Sequence, residues 1–267
     1  MVFRWTEIAR AFSGRHRSAF GSIEWSSIPW MGHEKTIKET LLDVATPVPG
    51  LLEKVDGLVE DSAEALATIL REMSSAREAL FAWKKTLNSQ LSNYDRNSTA
   101  EARSEPEYFM GFGMDVPHCI LFFWAVLVDL LQAMNDLGAR LPRNLAISIS
   151  GTHLQEDPGV YADYVVRCIR YFLRPEAGAA GSQSAILPIG IVFDYYAFDL
   201  QSASKLGSLM EILFDPSKSG PSGPLIGAFL LQIKGERDPK AIKAMTERFT
   251  KDEKYSRSKL HIPGNGD

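Results

Sequence analysis

From Ser62 to Tyr94 the chain carries neither proline nor glycine, while apolar side chains recur at Leu66, Ile69, Met73, Ala76, Leu80, Trp83, Leu87, Leu91 and Tyr94, three and four residues apart. A strand alternates every two residues, so this spacing specifies a helix with one apolar stripe, close to the 3.5-residue period of a packed seam. Asp61 and Ser62 stand where they can cap it. The predicted helix, 61–94, is about 50 Å long at 1.5 Å per residue. Such a stripe needs a cover. One reading packs it against another helix of the same chain, as in bundles. The other uses Leu66, Ile69, Met73, Leu80, Trp83 and Leu87 as an interaction seam with a second chain.

The remaining pattern is also helical, and the expected fold class is all-α: an irregular multi-helix bundle. Asp115 and Pro117 open a strongly apolar segment, 117–137, that ends near Gly138 and Pro142 and reads as the buried core helix. Ahead of the long helix, Ile37, Leu41, Leu42 and Ala45 recur at helical spacing until Thr46 to Pro49 interrupt them, and Leu51 to Val59 restart the pattern. Asp157 followed by Pro158 is a capped helix start, with Tyr161, Tyr164, Val165, Cys168, Ile169 and Phe172 on one face. A Gly and Ser connection over 177–184 then leads to an apolar helix over 186–198, with Pro188 in its first turn. Leu206 to Leu213 and Leu225 to Ile233 suggest two more helices, whereas 97–107 and 146–150 read as loop or, for the latter, a helical turn. The N-terminal aromatics Trp5, Phe12, Phe20, Trp25 and Trp30 read as a segment that pins itself to the main body. The expected organisation is a helical domain over 1–235 and a charged, flexible tail over 236–267.

Composition narrows the partners. The 29 basic and 33 acidic residues give a formal charge of −4, so the chain as a whole exerts no general pull on nucleic acid or anionic membrane. The segment Lys234 to Lys259 holds nine Lys or Arg against five Asp or Glu, but the signs are interleaved and read as a solvated surface. Cys119 and Cys168 lie inside apolar helical patterns, as buried free thiols do, which points to a reducing compartment, nuclear or cytoplasmic. No signal peptide pattern is visible, and the most apolar run, Cys119 to Val128, is shorter than the roughly 20 residues of a membrane span.

Few residues carry a chemical signature. The five histidines, at 16, 33, 118, 153 and 261, show no ligand spacing, no Asp-rich magnesium motif is present, and no metal or cofactor is expected. Gly111-Phe-Gly113 reads as a turn, and Ser148-Ile-Ser150-Gly151-Thr152-His153 as loop hydrogen bonding. One group of polar residues lies within apolar helices: His118, Asp129, Arg170, Asp194, Tyr195 and Tyr196. If they converge in an interhelical pocket, His118, Asp129 and Asp194 are candidate acid or base residues, and Arg170, Tyr195 and Tyr196 candidate ligand contacts. The alternative is that each is satisfied separately, in structural contacts or at the surface.

Three stretches together resemble a known family. Trp25-Ser-Ser-Ile-Pro-Trp30 leading to Lys35-Thr36, then Asp43-Val-Ala-Thr-Pro-Val-Pro-Gly-Leu-Leu52, and the tract from Tyr161 to Tyr196 are similar to the fungal-specific transcription factor domain of zinc-cluster regulators. The last tract carries Ala162-Asp163, Arg167-Cys168-Ile169, Tyr171-Phe172, Gly178, Gly181 and Leu187-Pro188-Ile189-Gly190 in that family's order. The resemblance implies an all-helical regulatory region that follows a DNA-binding zinc cluster, with roles in effector response or dimerisation. That cluster needs six cysteines for two zinc ions, and this chain has two cysteines, far apart. DNA contact is therefore not carried over.

The expected function is a regulatory or protein-interaction domain whose partners are other protein chains, a second copy or a related regulator among them, with a small-molecule effector as a further candidate. Two alternatives stand beside it. One is an enzyme of fungal specialised metabolism using the interhelical polar group; the other is a truncated dimerisation partner, or decoy, acting through the 66–94 seam.

Overall fold

The computed structural model describes residues 2–58, 62–92, 114–151, 156–198 and 203–237. Expectations that fall on Asp61, Tyr94, 97–107, Gly111, Gly113, Thr152, His153 or 238–267 lie outside these residues. Among the described residues no strand forms and the fold is all-α.

Helix α1 spans Val2–Gly14, and α2, Ile23–Ser27, lies between two 3₁₀ turns, Ala19–Gly21 and Ile28–Trp30. Helix α3, Ile37–Ala45, starts on a reciprocal cap: the Thr36 hydroxyl accepts from the Glu39 amide, and the Glu39 carboxylate accepts from the Thr36 amide at 2.7 Å. Pro47 then opens α4, Pro47–Asp56, where its missing N–H costs nothing. The long helix α5 is Ala63–Ser92, within two residues of the predicted bounds at either end.

Helix α6, Asp115–Arg140, is the axis of the fold. Every residue from Pro117 to Val128 is buried, so this helix is apolar all round and has to be surrounded. It is long and apolar enough to cross a membrane, yet 83% of its most apolar window is buried inside the chain. Its neighbours are α3, α4, α5 and three later helices: α7, Arg143–Ser150; α8, Pro158–Leu173; and α9, Gly178–Phe198. Thus 146–150 is helix, the turn-like alternative of the sequence reading. The chain ends its described course in α10, Ala203–Phe214, a single turn α11, Pro216–Ser219, and α12, Ser222–Arg237, which runs two residues past the expected domain boundary at 235.

The stripe on α5 is covered by the chain itself. Leu66, Met73, Leu80 and Leu87 are at most 1% exposed, Ile69 and Trp83 are each 7% exposed, and α3, α4, α6 and α7 pack on this helix. The Trp83 indole N–H reaches the Ile37 carbonyl and the Thr40 hydroxyl at 3.2 Å each, and its ring lies 5.6 Å from that of Phe123. Leu66, Ile69, Met73, Leu80, Trp83 and Leu87 are thus core residues of this chain and not an open seam: the stripe is packed as the first of its two readings has it.

Two further expectations change. Helix α1 does pin itself down, through Trp5 at 4.6 Å and Phe12 at 5.6 Å from the Phe122 ring, but Trp25 does not. The Gly and Ser tract over 178–184 is the first third of α9, and Pro188 lies mid-helix instead of in the first turn. Small residues serve crossing there: a Cβ on Gly181 would sit 2.1 Å from the Phe172 carbonyl oxygen of α8, so only glycine lets the two backbones approach this closely.

Candidate functional site

The polar residues singled out from sequence are spread through the fold. His118, in the first turn of α6, stands edge-on to Trp5 at 4.2 Å, is 7% exposed, and its Nε2 has no hydrogen-bond partner. Removal from water, followed by the nearby Lys38 ammonium, pushes its pKa down to about 3. At neutral pH it is an uncharged ring in an aromatic layer.

Asp129 is eleven residues further along the same helix, about 16 Å along its axis. There it faces Arg15 Nη1 at 3.6 Å, and the same guanidinium grips Asp56 through two bonds of 2.7 and 2.9 Å. Arg15 follows α1 with φ of 47°, a left-handed turn that ends the helix. The ion pairs tie this turn to α4 and α6.

On α9, Asp194 is half-buried and Tyr195 and Tyr196 are buried. The Tyr196 hydroxyl donates to Asp163 Oδ1 at 2.7 Å, and Lys205 Nζ meets the same carboxylate at 3.0 and 2.9 Å. Burial and then this bond raise the Tyr196 pKa, so the phenol stays protonated and links α8, α9 and α10. Arg170 lies on the exposed side of α8. His118, Asp129 and Arg170 therefore do not gather around one reacting centre, and the convergent pocket expected from the sequence is corrected: His118 lies against Trp5, Asp129 faces Arg15, and Arg170 is exposed.

A polar network does converge elsewhere. Arg77, buried on α5, reaches Glu156 through Nε at 2.9 Å and through Nη2; the Tyr161 hydroxyl donates to the other carboxylate oxygen at 2.5 Å; and Asn135 Nδ2 donates to the Glu156 carbonyl at 3.4 Å. The guanidinium also lies 4.4 Å from the Phe81 ring centre. This network joins α5 and α6 to the start of α8. Its one sequence signal was an arginine four residues after Met73 and three before Leu80, flanking the apolar stripe.

No three His, Cys, Asp or Glu side chains gather as a metal site among the described residues, and Cys119 and Cys168 are buried and unbonded to each other. A depression of about 390 Å³ on α4 and α5 is lined by Lys54, Ser62, Glu64, Ala65, Thr68, Ile69 and Glu72; of the candidate residues it holds Ile69 from the stripe and none of the polar ones.

The least satisfied surface is apolar. Ile23 is 76% exposed, Trp25 47%, Ile28 60% and Met31 78%, and none of the residues in α2 or its two flanking 3₁₀ turns is buried. Phe20 and Trp25 meet edge to face at 4.6 Å, and Ser26 and Ser27 donate to the Ile23 carbonyl at 2.8 and 2.7 Å. The lobe is thus shaped by its own contacts while its greasy side chains face water. No family model, curated protein or solved structure matches this chain.

Proposed function

We propose that this chain is a regulatory protein-interaction module, of the kind its sequence resembles in the regulatory region of fungal transcription factors, working through partner proteins and without a DNA-reading element of its own in this chain. The observation that carries the reading is the exposed apolar lobe Ile23–Met31. Each large side chain left in water forgoes about 1.5–3 kcal/mol of burial, and an apolar patch facing solvent is the ordinary mark of a binding surface. The lobe also contains Trp25-Ser-Ser-Ile-Pro-Trp30, the first of the stretches similar to that family. A nuclear location and a small-molecule effector belong to the same proposal.

The test is a tethering assay. The whole chain is fused to a heterologous DNA-binding domain upstream of a reporter. We expect altered reporter output that is lost in Trp25→Glu and in Ile28→Glu, with unchanged circular dichroism because neither side chain supports the core. A tethered wild-type chain that leaves the reporter at its basal level refutes the regulatory reading.

A further inference from the structure

We infer that the lobe Ile23–Met31 docks against the same lobe of a second copy of this chain; the inference rests on the interaction reading above and names its partner. Four of the large apolar side chains that face water, Ile23, Trp25, Ile28 and Met31, fall within this single short stretch. At their fractional exposures they offer roughly 500 Å² of apolar surface, at the upper end of what a lone monomer shows. Two such faces together hide about 1,000 Å², the lower bound for a specific interface before any polar rim is added.

Charge selects the partner. Over 15–35 the chain has three cations, Arg15, Arg17 and Lys35, and two carboxylates, Glu24 and Glu34, whereas the whole chain is at −4. Two negatively charged copies therefore meet here on nearly neutral ground, where Arg15 and Lys35 are already held by carboxylates of their own chain. A strongly basic or acidic partner finds no opposite field on this face. An anionic bilayer is opposed by Glu24 and Glu34, both exposed beside the apolar side chains.

The lobe has the firmness such an interface requires. Arg15 is bound to Asp56 by two bonds, the Arg17 amide donates to Glu53 at 3.0 Å, and Lys35 holds Asp43 at 2.5 Å. These contacts fix both ends of the excursion to the bundle, so little ordering entropy is left to lose on docking.

The experiment is sedimentation equilibrium of the full chain across a wide concentration range. We expect a mass of twice 29.7 kDa at high concentration. Trp25→Glu and Ile28→Glu should each weaken the dimer by about tenfold or more, because a charge is placed in the centre of a desolvated patch. As an independent measure, Met31→Cys should cross-link to itself with a short bismaleimide, whereas Ala139→Cys, exposed near the end of α6, should not; the native thiols Cys119 and Cys168 are buried. A wild-type chain that stays monomeric and a Met31→Cys variant that does not cross-link would overturn the second copy as occupant. A dimer indifferent to the lobe substitutions would overturn it equally. If the chain is monomeric but the tethered reporter still depends on Trp25 and Ile28, the interaction module stands and its partner is another protein.

Discussion

Two glycines on α9 provide a matched pair in which the same substitution should have opposite effects. A methyl group at Gly181 would lie 2.1 Å from the Phe172 carbonyl oxygen and 3.2 Å from its carbon, and both atoms belong to the backbone of α8. An ordinary carbon–oxygen contact is more than an ångström longer, so helix α9 has to shift. Overpacking of this kind costs typically 1–3 kcal/mol. Alanine returns about 0.5–1 kcal/mol of helix propensity. Gly181→Ala should therefore lose about 1–2 kcal/mol, or roughly 2–8 °C in Tm for a domain of this size. At Gly190 the new methyl meets only Leu230 Cδ2, at 3.4 Å, the end of a side chain that turns aside. Gly190→Ala should therefore be neutral or more stable by up to about 1 kcal/mol. Thermal and urea unfolding followed by far-ultraviolet circular dichroism measure both. If Gly181→Ala is as stable as the wild type, or Gly190→Ala is the weaker of the two, the close crossing of α8 and α9 is refuted.

Two further predictions concern buried polar groups. The His118 pKa in the folded chain is about 3, below the ordinary 6.5, so on acidification the unfolded chain takes up a proton that the folded chain refuses. Stability from this group is complete above about pH 6.5 and falls by about 1.4 kcal/mol per pH unit as pH drops toward 3. His118→Phe, which keeps a ring against Trp5, should show a flatter urea-unfolding profile between about pH 7 and pH 4, and parallel profiles would contradict the burial argument. Arg77→Ala leaves Glu156 without its cation and should cost about 2 kcal/mol, at the low side for a buried pair because the carboxylate is 26% exposed. Adding Glu156→Gln should recover part of that loss in a double-mutant cycle, and strictly additive effects would show that the two side chains do not interact.

Much of the scaffold was legible in the chain. Helix α5 could be read because its apolar residues return every three or four positions, α6 because its apolar face has no gap, and α8 because Asp157 and Pro158 mark its first turn, where the Asp157 carboxylate accepts from the Gly159 amide at 2.7 Å. The first third of α9 was hidden because Gly178 to Ser182 has the composition of a linker, and only the nearness of Phe172 explains those residues as a close helix contact. The candidate site was less legible. His118 lies against the Trp5 ring and Asp129 faces Arg15, two separate settings, whereas Arg77 and Glu156, 79 residues apart, form the convergent pair that no local spacing announces.

By itself the amino-acid order determined the all-helical class, the long and the central helix, and the absence of a cysteine set able to hold a zinc cluster. Those are matters of local geometry: the period of a helix, the cap at its start and the ligands a metal demands are counted along the chain. The tertiary structure alone decided that the α5 stripe faces inward and the Ile23–Met31 lobe outward. Which of two equally greasy surfaces is covered depends on what other segments reach it in space, and the spacing of its own residues carries no record of that.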